Sequence, residues 1–175
     1  AAHPNETLRQ LSLPALKEIK GDLCVYGTAL QTADFKSLQS VAGHFVLQSD
    51  ALLQLTADEL TTVAGNMTLI GTTADEAKAP CEQMYFPKLQ RIDGTLTLSR
   101  FDRLSGLGTT FGVLTQAGAL RYEHLALANT FEFPLIGTTG DITVTDCPIL
   151  RSVLLPALTD AGSLEITGCP AIETL

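Results

Sequence analysis

Two cysteines stand 22 residues apart at the same point of a repeated phrase. GDITVTDCPILRS, from Gly140 to Ser152, returns as GSLEITGCPAIET from Gly162, and Cys147 is answered by Cys169. Equivalent residues of stacked coils lie ~4.8 Å apart, inside the Cα window of about 4.4–6.8 Å that a disulfide tolerates. The spacing therefore predicts a Cys147–Cys169 bond, worth ~3 kcal/mol for a loop of that length. Cys24 and Cys81 are then left to pair by elimination. The alternative is a set of free thiols, as a reduced cytosolic protein would hold.

The other chemistry-bearing residues are sparse. The histidines are His3, His44 and His124, and neither H-x-E-x-H nor C-x-x-C spacing occurs, so no zinc site is expected. GTTGD and GLGTTFG are glycine-rich, but neither has the spacing of a phosphate-binding loop. No G-x-S-x-G elbow is present. Asp141 and Glu165 fall on adjacent repeats, offset by two residues. A glycosidase needs two carboxyls about 5 Å or roughly 6.5–9.5 Å apart, so this pair is the one opening for a polysaccharide-active enzyme. No cofactor is implied.

What must position these residues is the repeat itself. G-x-φ-x-φ, with φ apolar, recurs as GDLCV at Gly21, GHFVL at Gly43, GNMTL at Gly65, GTLTL at Gly94, GDITV at Gly140 and GSLEI at Gly162. EHLAL at Glu123 reads as a degenerate copy, which gives steps of 22, 22, 29, 29, 17 and 22 residues. A modal period of 22 with whole-loop insertions is a solenoid signature. The alternation is that of half-buried strands. It turns inward Leu23/Val25, Phe45/Leu47, Met67/Leu69, Leu96/Leu98, Leu125/Leu127, Ile142/Val144 and Leu164/Ile166. A preceding motif, as in FKSLQSVAG, adds Leu16, Leu38, Leu60 and Leu89, then Ile19, Val41, Val63 and Ile92. The recurrent glycine suggests a corner with φ > 0. The predicted fold is all-β: a short right-handed parallel β-helix of six to eight coils, leucine-rich-repeat-like, in one domain over residues 1–175. Insertions fall at about 71–83 and 100–122, and 112–123 is the best helical candidate.

The segments FPKLQRIDGTLTLSRFDRLSGL and LPALTDAGSLEITGCPAIETL resemble the receptor L-domain family, over most of residues 10–175. That family includes the L domains of the insulin and epidermal growth factor receptors and cell-surface proteins of fungi and protists. The resemblance implies an extracellular, non-catalytic β-helix that binds a ligand or partner. It carries over no binding residue. The chain has no Trp, and no Cys-rich module stands beside the repeats, so a single-domain surface or cell-wall protein fits better than a growth-factor receptor. A leucine-rich repeat would want Asn after the strand, where Gly27, Ser49, Gly71, Thr145 and Thr167 stand instead.

Composition is that of a packed globular protein. Apolar residues make up 45% and charged ones 17%, with a net charge of −8. The 11 Lys and Arg form no run, which argues against nucleic acid and anionic membranes as partners. AAHPNETL lacks the features of a signal peptide, as a mature secreted chain or a trimmed segment would. Sequons at Asn5 and Asn66 mark glycosylation candidates. CPAIETL stops in mid-coil, leaving an edge for a second copy or a neighbouring domain, or marking a fragment of a longer ectodomain.

The outward positions read Cys24/Tyr26, Val46/Gln48, Thr68/Ile70, Thr97/Ser99, Ala126/Ala128, Thr143/Thr145 and Glu165/Thr167: a flat face with few charges. The expected function is recognition of a protein or glycan by this face or by the inserted loops. The binding candidates are Tyr26, Val46, Gln48, Thr68, Ile70, Thr97, Phe101 and Arg103, with Phe111 and Tyr122 as further exposed aromatics. Ice binding is the second reading. It rests on Thr95/Thr97 and Thr143/Thr145, and the unmatched Asp22/Cys24, His44/Val46, Asn66/Thr68 and Ser163/Glu165 argue against it.

Overall fold

The computed structural model describes residues 5–27, 29–71, 80–104 and 110–175. Its strands are short and parallel, and they stack coil upon coil as a β-solenoid of about seven turns. The longest strands form one column: Leu23–Tyr26, Phe45–Gln48, Met67–Ile70, Arg91–Ser99, Gln116–Glu123, Ile142–Thr145 and Leu164–Thr167, numbered here as coils 1 to 7. Two-residue strands such as Glu18–Ile19, Ser40–Val41 and Thr62–Val63 precede them across the glycine bend. In coils 4 and 5 the two pieces run together into one strand. Three-residue strands form the third column, from Gln10–Ser12, Thr32–Asp34, Gln54–Thr56 and Gln83–Tyr85 to Thr130–Glu132 and Ser152–Leu154.

Coil 5 departs from the sequence expectation. Its phrase is GALRY at Gly118–Tyr122, not EHLAL at Glu123, and the glycine steps become 22, 22, 29, 24, 22 and 22. The segment predicted as a helix, 112–123, is largely the strand Gln116–Glu123. Ala, Leu, Arg and Glu favour helices weakly, but coils 4 and 6 present in-register main chain on both sides, pairing Leu120 with Leu96 and with Ile142. Leu120 and Tyr122 therefore take the inward places. Leu125 is still buried, at the corner after the strand, whereas Leu127 is half exposed. The insertion read at 100–122 shrinks accordingly, and its residues 105–109 lie outside the described residues, as do 72–79 of the one at 71–83.

The inward alternation otherwise fills the core as expected: Phe45, Leu47, Met67, Leu69, Leu96, Leu98, Ile142 and Val144 are at most 1% exposed. Leu164, in the last coil, is 53% exposed because no further coil covers it among the described residues. The third column escapes detection in the sequence, since each member turns in only one residue (Ala33, Leu55, Met84, Phe131, Val153). Phe101, Phe111 and Tyr122, expected as exposed aromatics, are fully buried. Ring contacts run through the core, from Phe35 to Phe45 (6.1 Å between centroids), Phe45 to Phe86 (6.3 Å), Phe86 to Phe111 (5.5 Å) and Phe111 to Phe133 (6.1 Å). Ala57 stands between Phe35 and Phe86 in their column, and Phe45 reaches both rings past it.

The repeat glycines answer a different constraint from the one expected. None of them has φ > 0. The left-handed residues come after the long strand, at Arg100 (φ 60°), His124 (53°), Asp146 (54°) and Gly168 (65°). The bend glycines instead lie against one another. Gly43, Gly65, Gly94, Gly140 and Gly162 each donate their N–H to the glycine carbonyl of the coil before, at 2.9–3.1 Å. A Cβ on Gly65 would stand 2.7 Å from the Gly43 oxygen, and one on Gly140 would collide with the Gly118 oxygen. Gly21, in the first coil, has nothing within 4 Å of that position.

Two substitutions separate this reading from a conformational one. Gly140→Ala should destabilise the protein by about 1–3 kcal/mol or more, since the contact is with main chain, while Gly21→Ala stays within about ±0.5 kcal/mol. Equal losses in urea titrations would show that stacking is not the reason for the glycines. Leu98→Ala, deep in the core, should cost about 2–5 kcal/mol, and a loss below about 1 kcal/mol would contradict its inward place.

Candidate recognition site

The long strands present one outward face. Register aligns Cys24, Val46, Thr68, Thr97, Arg121, Thr143 and Glu165 in one column, and Tyr26, Gln48, Ile70, Ser99, Glu123, Thr145 and Thr167 in the next. Six of the expected binding residues, Tyr26, Val46, Gln48, Thr68, Ile70 and Thr97, are thereby brought together. Phe101 is not among them, because it is 0% exposed and packs in the core. Arg103 lies beyond the strand and pairs with Glu82 at 3.6 Å. Ala126 and Ala128 do not belong to the face. Arg121 and Glu123 hold those places, joined by an ion pair at 3.4 Å.

Arg121, Glu123 and Ala119 were missed because coil 5 was read five residues late. The signal was present, as Gly118 restores the 22-residue step to Gly140. The face therefore has a charged pair at its centre and is not the nearly uncharged sheet expected. The same residues interrupt the threonine ladder, since Ala119 and Arg121 stand between Thr95/Thr97 and Asp141/Thr143.

A second regularity runs along the edge of the face, at the residue after each bend glycine. At four of the six steps between coils, a side chain of the coil before accepts from its N–H. The Asp22 carboxylate accepts from His44 N–H at 2.7 Å, His44 Nδ1 from Asn66 N–H at 2.9 Å, and Asn66 Oδ1 from Thr95 N–H at 2.9 Å. Asp141 Oδ1 accepts from both the N–H (2.9 Å) and the hydroxyl (2.8 Å) of Ser163. These two bonds hold the Asp141 carboxyl below its ordinary value. That carboxylate is thus committed to the frame, and Glu165 lies one column away, in register with Thr143.

Around the alanine in this series the face sinks into a polar depression of about 330 Å³. Thr68, Thr97, Ala119, Arg121, Asp141 and Thr143 line it together with Asn66 and Thr95. A second depression, apolar and of about 480 Å³, lies at the C-terminal end among Val153, Leu154, Leu155, Pro156, Leu164 and Leu175.

Class follows from this geometry: a parallel β-solenoid with a lateral, hydroxyl-rich sheet face. Comparison with family models, with curated proteins and with solved structures returned no match.

The cysteines correct the disulfide expectation, because all four are free thiols. Cys147 and Cys169 do occupy equivalent places, both buried, in the core column that continues Phe101 and Leu125. In-register parallel neighbours keep at Cβ the ~4.8 Å that they have at Cα, whereas a disulfide draws the Cβ atoms to about 3.5–4.5 Å. Each thiol donates instead to a carbonyl of its own coil, Cys147 to Thr145 at 3.5 Å and Cys169 to Thr167 at 3.3 Å. Cys24 is exposed on the outward face while Cys81 is buried and bonded to the Gln83 carbonyl, so those two do not meet either.

Burial pushes the Cys81 and Cys147 thiols up to about 11, from 9.0. In the native protein at pH 8, a thiol reagent should modify Cys24 readily and these two only after unfolding. The raised values also set a pH dependence. Above 9.0 the unfolded chain releases thiol protons that the folded chain retains, so stability should fall as pH rises toward about 11. A C81A/C147A double variant that loses stability over that interval as steeply as the parent would contradict this assignment.

Proposed function

We propose that this protein is a non-catalytic recognition domain of a cell-surface or secreted protein, and that its long-sheet face binds a glycan. The observation that carries the reading is the lateral face itself: seven strands wide, with Thr68, Thr97, Thr143, Thr145, Thr167 and Gln48 among its outward side chains and a polar depression around Ala119. The strands of the face pair in register between coils, so most of the recognising falls to side chains. Flat solenoid faces suit extended partners, and hydroxyl and amide groups match the donors and acceptors of sugars.

The extracellular part of the proposal rests on the two sequons. Asn5 and Asn66 are both exposed. Asn5 Oδ1 accepts from the N–H of Leu8 at 3.0 Å, and Asn66 Oδ1 from that of Thr95. Asn66 lines the depression, so a glycan on it would restrict which partners enter.

A panel of immobilised plant, algal, fungal and animal polysaccharides tests the main reading. The protein should be retained by at least one class and release no new reducing ends from it. Thr97→Trp, which fills the middle of the face, should weaken retention at least tenfold while the thermal midpoint holds. Retention unaffected by Thr97→Trp would move the site off the face, and liberation of reducing ends would make the protein an enzyme.

A further inference from the structure

Resting on the reading of the long-sheet face as a glycan-binding surface, we infer that the depression at Ala119 holds the acid group of an anionic polysaccharide. The ladder of side-chain acceptors along the bend breaks off over coils 4 and 5, where Thr95 and Ala119 accept no N–H from the coil that follows among the described residues. Asp22, His44, Asn66 and Asp141 each cap an N–H of the next coil at 2.7–2.9 Å. In coil 5 the corresponding residue is Ala119, whose methyl group accepts nothing. The N–H it would serve belongs to Asp141. The neighbouring Gly140 N–H takes the Gly118 carbonyl at 2.9 Å, and Asp141 N–H has no acceptor among the described residues. The missing side chain thus leaves both an open volume and an aimed, unpaired donor beside it.

The groups around that volume are donors as well. The Arg121 guanidinium lies at its side, half exposed and tied to Glu123 by one pair at 3.4 Å that leaves other N–H groups free. The hydroxyls of Thr97 and Thr143 flank Arg121 in its own column, and Thr68 continues the line. Of the acceptors in the lining, Asp141 Oδ1 receives Ser163 and Asn66 Oδ1 receives Thr95, while the second carboxylate oxygen of Asp141 keeps its charge beside Arg121. The lining carries one cation, Arg121, and one carboxylate, Asp141; the guanidinium and the main-chain N–H of Asp141 together form a strong pairing for an anionic acceptor.

A carboxylate or a sulfate ester supplies that acceptor. The threonine line on either side, running along the rod axis, suits the hydroxyls of the same polymer. An acidic peptide is the poorer occupant. Extended peptides bind where strand edges leave main-chain groups free, and this site is the middle of a face. The volume, about 330 Å³, is of the size of a small-ligand site.

The experiment is calorimetric titration with oligogalacturonate, dextran sulfate and neutral dextran, carried out on the whole chain and two variants. Oligogalacturonate or dextran sulfate should bind, neutral dextran should bind at least tenfold more weakly, and the preferred anion tells carboxylate from sulfate ester. Arg121→Gln should weaken the acidic ligand at least tenfold. Ala119→Asn places an acceptor where the ladder lacks one, so it should raise the thermal midpoint and abolish binding together, which separates loss of the site from loss of the fold. Equal binding of neutral dextran, or unchanged affinity in either variant, overturns the inference. If Thr97→Trp still removes binding of a neutral glycan while the Ala119 and Arg121 variants do not, the face remains a glycan site and only the acid-group assignment fails. If no glycan binds the parent protein at all, the reading of the face fails with it.

Discussion

Everything in this molecule depends on how closely one coil lies on the next at the glycine bend. There the chain turns between a two-residue strand and a four-residue one, and two successive N–H groups point at the same neighbour. The first reaches the glycine carbonyl at 2.9–3.1 Å. That approach leaves no room for a Cβ, which is why glycine recurs although its φ is ordinary. At four of the six steps the second N–H is met by a side chain, and there the position holds Asp, His or Asn. Main-chain stacking thus bears on two sequence positions per coil. The apolar alternation that follows is free to vary in volume, so long as rings and methyls complement each other, as Phe45 does beside Ala57.

This division explains what could be read in the sequence. The glycine column and the inward pairs of coils 1 to 4, 6 and 7 were legible, because a steric exclusion and a two-residue period both leave marks. Coil 5 was not. QAGALRYE carries helix-forming residues, while EHLAL a few positions later alternates like a strand. Local preference and a chance alternation outweighed the one clue, the spacing of Gly118 from Gly140. The structure decides it through pairing on both sides of the strand, which no local window contains. The three-residue strands were invisible for a simpler reason: one inward residue in three makes no period.

The disulfide expectation failed on geometry of another kind. Equivalence in the repeat brings Cys147 and Cys169 to neighbouring places, and the distance between their Cα atoms suits a bridge. Stacking in register, however, keeps the two side chains parallel. A column of like residues is ideal for packing, as Phe101 and Leu125 show in the same column, and poor for cross-linking. The thiols behave as small core residues, and the core keeps them protonated.

Coil 5 is also the one on which the proposed glycan site rests, and the two facts are connected. A repeat protein writes the same chemistry into every coil, so its faces tend toward uniform ladders. Recognition of one ligand in one place needs a departure from that uniformity. In this chain the departure is Ala119 with Arg121: one removes an acceptor from the frame, and the other adds the cation of the central column. Replacing the acceptor costs the fold little, because the freed Asp141 N–H is exposed to water instead of buried. A break that is cheap for stability and rich in unpaired donors is what a binding site on a solenoid should look like. Departures from the local rule are where function is expected, and a search that follows only the repeat passes over them.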